Sequence, residues 1–293
     1  MKIVSWNVNG IRSRIFNEKI SSKLKKDETI FPTEGSAMYE LLKHDPDIIC
    51  IQETRCSIVK SKMMCIPGYK SFFNESKLDA ARAPDRYSGT CIFYKENISC
   101  DFSTDIPGYE DLEGRVIIMK FDDITLVTVY APNSGTNYEN KIKFNEKMYN
   151  FLNSLDGKVI FCGDLNAAKE THFDQSKQEP GPGTYPHELK FLEDLECIHF
   201  KDTMKCDTIY TWWDPRQVKE NGMSRARNRN KGWRLDYFFT KNINQISSKC
   251  LKYIGENNEG IPLASDHAPV ILDWEEGNRG EHATLGSHFS ATV

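Results

Sequence analysis

A chain of 293 residues buries roughly three-quarters of its unfolded surface, so its core needs no disulfide staples. The sequence is 39% hydrophobic and 27% charged, the balance of a water-soluble globular protein, and contains no apolar stretch of membrane-spanning length. The formal net charge of -4 excludes a protein coated in positive charge but leaves room for local contact with nucleic acid.

Nine cysteines are scattered with neither a CxxC pair nor a histidine at zinc spacing, and Cys50, Cys91 and Cys162 sit inside apolar runs. Reduced thiols and a soluble, intracellular setting are expected. In chain order, β-branched apolar runs predict strands over Ile3–Val8, Ile48–Ile51, Thr90–Tyr94, Val116–Phe121, Thr125–Tyr130, Val159–Cys162, Leu235–Phe239 and Pro269–Trp274. Helix-like stretches fall at Met38–Lys43, Tyr138–Leu155 and Pro186–Leu195. Many strands with few outlying helices predict two packed sheets covered by helices, an α/β sandwich. No linker composition interrupts residues 1–275, so one domain is expected there, followed by a mobile tail over 276–293.

Polar residues gather where the strands end. The first strand leads into Asn7 and Asn9, the second into Gln52-Glu53, the fifth into Tyr130-Ala131-Pro132-Asn133 and the sixth into Gly163-Asp164-Leu165-Asn166. Asp236 interrupts an apolar run, and Ser265-Asp266-His267 precedes the last strand. Singly, a Gly-Asp-x-Asn is more often a turn than a site. An unpaired carboxylate at Asp236, however, costs several kcal/mol among apolar neighbours and requires a partner such as His267. Glu53, Asp164 and Asp266, with the amide oxygens of Asn7 and Asn166, form an oxygen-only set suited to Mg2+ or Mn2+. A histidine oriented by a carboxylate handles protons or holds a phosphate oxygen. The combination describes hydrolysis of a phosphate ester.

These motifs, in this order over residues 3–274, resemble the endonuclease/exonuclease/phosphatase superfamily, whose fold is a four-layered α/β sandwich. Glu113-Gly114-Arg115-Val116-Ile117, Tyr210-Thr211-Trp212-Trp213 and Asn230-Lys231-Gly232-Trp233-Arg234-Leu235-Asp236 are similar to segments of its exonuclease III-type abasic endonucleases. The resemblance implies Mg2+-dependent hydrolysis of double-stranded DNA 5′ to an abasic site, with 3′→5′ exonuclease and 3′-phosphodiesterase activity as companions. A monomer in the nucleus or another DNA-containing compartment is expected. By the same resemblance Glu53 and Asp266 are the chief metal ligands, completed by Asn7, Asp164 and Asn166 directly or through water. Asp164 positions or activates the attacking water, Asn166 orients it, and His267 with Asp236 meets a phosphate oxygen. Tyr130 and Asn133 hold the scissile phosphate, and Arg115 contacts substrate. Trp212, Trp233 and Leu235 wall a pocket for the extruded sugar, which flips out cheaply because it has no base to unstack. Trp213 reads as core.

Two basic stretches adjoin these motifs. Residues 12–26 contain Arg12, Arg14, Lys19, Lys23, Lys25 and Lys26 against Glu18, within a connection over 12–36 that is longer than in relatives. Either a solvated helix face or contact with flanking DNA accounts for it. Arg225, Arg227, Arg229 and Lys231 are expected to touch DNA phosphates. Ser134-Gly135-Thr136 lacks the arginine that some relatives insert into the groove. The rival functions are a sister nuclease or inositol phosphatase, which has no need of the tryptophan pair, and a non-enzymatic nucleic-acid-binding module, which has no need of the metal ligands.

Overall fold

Strands that are apolar on both faces need cover on both sides, and two stacked sheets with outer helices supply it. The structure is a computed structural model and describes residues 1–16, 29–78, 87–169, 180–204, 209–216, 219–220, 223–244, 246–252 and 264–274. Lys19, Lys23, Lys25 and Lys26 of the first basic stretch lie outside the described residues, as does the tail 276–293.

The first elements are β1 (Lys2–Asn7), α1 (Ala37–Leu42), β2 (Ile48–Gln52), α2 (Ile58–Ser61), β3 (Tyr69–Asn74), β4 (Thr90–Lys95) and β5 (Asp101–Ser103). There follow β6 (Val116–Phe121), β7 (Ile124–Tyr130), α3 (Tyr138–Ser154), β8 (Lys158–Asp164), α4 (Pro186–Cys197) and β9 (Lys201–Asp202). The last are β10 (Lys219–Glu220), β11 (Met223–Ser224), α5 (Arg225–Asn228), β12 (Asp236–Lys241), β13 (Ile246–Cys250) and β14 (Val270–Trp274). One six-stranded sheet runs β13-β14-β1-β2-β4-β3 and the other β5-β6-β7-β8-β12-β9. Both are mixed, because β1–β2 and β7–β8 pair in parallel and their neighbours antiparallel.

Strand alternation sorts the core into layers. Ile3, Ile48, Cys50 and Ile92 of the first sheet meet Ile117, Leu126, Ile160, Cys162 and Phe238 of the second. Val4, Trp6, Ile49 and Ile51 point the other way, onto Met38 and Leu41 of α1. Val127, Val129 and Phe161 pack on Phe144 and Met148 of α3 and Phe191 and Leu192 of α4. The result is the four-layered α/β sandwich expected from the sequence, with each such side chain stabilising the fold by about 1.5–3 kcal/mol. No helix among the described residues is long and apolar enough to cross a membrane. All eight expected strands form. The additional strands β3 and β13 close the two edges of the first sheet, where exposed polar positions such as Lys70, Ser71, Ser247 and Lys249 dilute the apolar signal.

Following the inner faces toward one end, the apolar rank gives way to polar residues. Ser5 and Gln52 meet Thr128 across the interface through the Gln52 side-chain amide, at 3.1 Å to each hydroxyl. Beyond them lie Asn7 and, in adjacent registered positions of the second sheet, Tyr130, Asp164 and Asp236. Gly163 allows β8 to lie this close to β7. Its φ is +133°, and a Cβ there would stand 2.0 Å from the Val129 carbonyl oxygen. Gly163→Ala is therefore expected to lose about 3 kcal/mol or more of stability through backbone strain and overpacking, read as a lower urea midpoint. An unchanged midpoint would refute this account of the β7–β8 contact.

Candidate active site

The two sheets meet chemically at Asn7. Its Nδ2 donates to Glu53 Oε1 at 3.0 Å and to Asp164 Oδ2 at 2.8 Å, joining a carboxylate from each sheet. Its Oδ1 accepts from the Asn9 backbone N–H at 3.0 Å. Asn7 was expected to offer an oxygen to a metal; instead its amide nitrogen faces the carboxylates, because the oxygen is turned into the β1 terminus. Asn166 is engaged in a similar way. Its Nδ2 donates to the Ala131 carbonyl at 2.9 Å, its Oδ1 accepts from Asn133 at 3.1 Å, and its backbone N–H donates to Asp164 Oδ1 at 2.9 Å. These amides hold the acids and the segment 131–133 in place.

Asp266 stands on the opposite side. Asn9 Nδ2 donates to its Oδ1 at 2.9 Å and the Trp212 indole N–H to its Oδ2 at 3.0 Å. Burial opposes its charge, but the neighbouring His267 and these two donors outweigh burial and lower its pKa. Glu53 also accepts from the Arg55 guanidinium and from the Tyr130 hydroxyl. Burial, followed by the Glu53 charge, raises the Tyr130 pKa, so its hydroxyl stays a proton donor.

Next to this acidic pair lies a buried proton system. His267 Nδ1 is 2.8 Å from Asp236 Oδ2, and His267 Nε2 is 3.8 Å from Asp164 Oδ2. Burial disfavours the imidazolium, but the charges of Asp236 and Asp164 prevail and push its pKa up to about 10. Burial raises Asp164 to about 7, with His267 opposing the shift and Asp236 adding to it. Thr211 Oγ1 accepts the N–H groups of Leu235 and Asp236, at 3.0 and 3.1 Å, and Ser265 Oγ ties the Asp266 turn to the Asn7 carbonyl at 2.7 Å.

Two donor sets bear on cation binding. Asp164, Asp236 and His267 bring ligand atoms within 4.8 Å of one another, a group that could hold a metal ion. The Asp236 bond, however, already engages His267 Nδ1 and orients its ring. Glu53 and Asp266, half-buried and oxygen-only, have the chemistry a hard cation requires. Asp266 keeps its charge while each of its oxygens takes one neutral N–H, which leaves further lone pairs.

Trp212 and Trp233 stand edge to face at 6.3 Å, their backbones paired at 2.8 Å in both directions, with Leu235 two residues on. Trp213 is buried, as expected. Arg115 departs from the expected substrate contact. It is buried, bonded to Glu113, to Tyr87 and to the Tyr130 carbonyl, and its guanidinium lies 4.7 Å from the Tyr130 ring centre, where it supports that ring. Arg227 departs too. It is buried over Trp213 and donates to the Ser265 carbonyl, whereas Arg225, Arg229 and Lys231 are exposed. Sequence reasoning missed the Asn9 and Arg55 contacts, Thr211, and Lys141. Lys141 is buried in α3, and its ammonium donates to the Leu165 carbonyl between Asp164 and Asn166. Burial lowers its pKa to about 8. A lysine in mid-helix carries no motif that marks such a role.

A family model described as Endonuclease/Exonuclease/phosphatase family matches residues 4–267. The exodeoxyribonuclease of Bacillus subtilis (strain 168) is 30% identical over 288 residues, covering 93% of this chain and 98% of that protein. DNA repair nuclease APEX1 of Danio rerio is 28% identical, covering 93% of this chain and 81% of that protein. In fold, the AP endonuclease of Leishmania major is similar at a TM-score of 0.69 and 22% identity, covering 94% of this chain and 88% of that one.

The charge balance makes a spectroscopic prediction. With Asp236 in place, the His267 ring should stay protonated from pH 6 to 9, since its pKa lies near 10. Asp236→Asn removes the largest stabilising charge and leaves Asp164 and Asp266 to oppose burial, so the ring should lose its proton at lower pH than in the wild type. Proton NMR titration of the His267 ring reads this directly, and a variant that titrates like the wild type would overturn the assignment of Asp236 as the cause.

Proposed function

The chain belongs to the Endonuclease/Exonuclease/phosphatase family, and on that premise we propose that it is a DNA-repair nuclease that hydrolyses the phosphodiester 5′ to an abasic site. The observation that carries this reading is Trp212, which lies against Trp233 at 6.3 Å and against His267 at 6.5 Å. These partly exposed indoles would wall a recess beside the proton chemistry, one that takes a sugar without its base and is too small for an intact nucleotide. The exodeoxyribonuclease and DNA repair nuclease names of the relatives support DNA as the substrate, and 3′→5′ exonuclease and 3′-phosphodiesterase activity belong to the same proposal.

Glu53 and Asp266 would hold Mg2+, with Mn2+ as a substitute, and the ion would neutralise phosphate charge and stabilise the departing 3′-oxygen. The chain's own groups do the rest. Tyr130, kept protonated, donates to a non-bridging phosphate oxygen, and Asn133 has a second amide hydrogen for the same task. His267, charged and oriented by Asp236, stabilises the negative charge that builds on the phosphate. Asp164, with a pKa of about 7, is poised as the base. It takes a proton from water as the water oxygen bonds to phosphorus and the bond from phosphorus to the 3′-oxygen breaks. The raised pKa leaves a useful fraction of carboxylate at neutral pH and makes that carboxylate a stronger base.

Incision of a duplex with one tetrahydrofuran abasic analogue tests the assignment. Cleavage is expected 5′ to the analogue in Mg2+, is lost in EDTA, and exceeds cleavage of intact duplex, RNA or inositol phosphates. Equal cleavage of intact duplex would favour a general nuclease. In the same assay His267→Asn is expected to lower single-turnover rate by about 100- to 10,000-fold with little change in abasic-DNA binding. Equal losses of rate and binding would make His267 a binding residue.

A further inference from the structure

Trp212 touches two parts of the site with one side chain. Its indole N–H donates to Asp266 Oδ2 at 3.0 Å, while its partly exposed ring lies edge to face with that of Trp233 and would form one wall of the proposed recess. Its main chain is fixed on both sides. Trp212 and Trp233 exchange N–H···O bonds at 2.8 Å, and the next residue, Trp213, donates its N–H to the Asp266 carbonyl at 3.2 Å. The ring therefore cannot shift toward or away from the recess without changing the angle at which its N–H meets Asp266. Neither role alone calls for an indole here. A phenylalanine would wall a sugar pocket, and Asn9 already orients the other Asp266 oxygen at 2.9 Å.

We infer that Trp212 is a positioning residue that couples the recess to the cation site, so that filling either one strengthens binding at the other. The inference rests on the proposed reading of Glu53 and Asp266 as cation ligands and of the recess as a sugar pocket. Physically, a sugar packed on the indole holds the ring in place and so fixes the Asp266 carboxylate for the cation. By thermodynamic reciprocity, a cation on Asp266 fixes the ring for the sugar by the same factor. Partners that orient a metal ligand are typically worth 10–100-fold in metal affinity, which sets the expected scale. The coupling would favour cation binding on damaged DNA over intact DNA.

The test deletes the N–H while keeping the ring. Trp212→Phe removes the N–H and retains an aromatic wall. Replacement of Trp212 by β-(3-benzothienyl)alanine keeps the bicyclic ring and removes only the donor, which covers the case in which the phenylalanine variant does not fold. Asn9→Gly removes the Asn9 donor to Asp266 Oδ1 and suits the φ of +49° at that position. Mn2+ affinity of the protein without DNA is measured by electron paramagnetic resonance. Binding of abasic and intact duplexes is measured by anisotropy in EDTA and in Ca2+. Mn2+ affinity should fall about tenfold in all three variants. The Ca2+-induced gain in preference for abasic over intact duplex should vanish in both Trp212 variants and persist in Asn9→Gly. Wild-type Mn2+ affinity, or a retained Ca2+-induced gain, in the Trp212 variants would overturn the coupling. A wild-type protein that binds no Mn2+, or that does not distinguish abasic from intact duplex, would overturn the underlying reading of the site as well.

Discussion

One amide nitrogen, Asn7 Nδ2, ties Glu53 after the second strand to Asp164 at the end of the eighth, and the site is arranged around that contact. Two carboxylates brought together repel each other. Two hydrogens on a single neutral nitrogen allow both to share one position without a full counter-charge. The contact depends on strand parity. Asn7 lies two residues beyond Ser5 and four beyond Ile3, and Asp164 two beyond Cys162, so all face the interior between the sheets. A slip of one residue in either strand would turn Asn7 or Asp164 toward the helical layers. Packing that fixes the register of the core therefore also fixes the site.

Around this contact the charges divide into two systems with different tasks. Asp266 is held ionised by its donors and neighbour, which suits a cation. His267, Asp236 and Asp164 form a buried set in which a carboxyl raised to about 7 stands beside an imidazole raised to about 10. Such separation of titrating groups lets one accept a proton while another stays charged. A second tier of buried cations supports both systems without entering them. Arg115 lies under the Tyr130 ring, and Lys141 holds the carbonyl of Leu165 between Asp164 and Asn166. Arg115 is matched by Glu113, Tyr87 and the Tyr130 carbonyl and Lys141 by the Leu165 carbonyl, and such partners are what make a buried charge tolerable and its loss costly.

The sequence disclosed the parts of this arrangement that have a periodic or compositional signature. Strands buried on both faces read as continuous apolar runs, so all eight of the central ones were legible, whereas edge strands such as Tyr69–Asn74 and Ile246–Cys250 mix exposed polar residues with apolar ones and pass for loops. The residues at the strand ends stood out because carboxylates and amides are out of place beside such runs. The direction in which a polar side chain turns was not legible. Arg115 and Arg227 have the composition of substrate contacts, yet both lie beneath the surface, under Tyr130 and over Trp213. Asn7 has the composition of an oxygen ligand, yet its oxygen faces its own backbone. Thr211 and Lys141 act through hydrogen bonds to segments distant in sequence, and no local pattern encodes those.

Backbone strain explains the last piece of geometry. By simple alternation after Gln52, whose side chain faces the interior, Glu53 would point into the helical layer. It adopts a φ of +52° instead, and Asn9 and Asn166 at the same edge take +49° and +46°. Asparagine tolerates this region, but for a glutamate the left-handed conformation costs about 1–2 kcal/mol. The surroundings enforce it. The Gly10 N–H donates to the Glu53 carbonyl at 2.8 Å, while the Thr54 and Arg55 N–H groups donate to the Gly89 and Ser88 carbonyls at 3.0 and 2.9 Å. Glycine at position 53 would relax the backbone and remove the carboxylate, while an unstrained glutamate would send that carboxylate away from Asn7. Only a glutamate held in the unfavourable conformation places its carboxylate between Asn7, Arg55 and Tyr130, so part of the stability supplied by the sandwich core is given up at this turn to position one oxygen-bearing group.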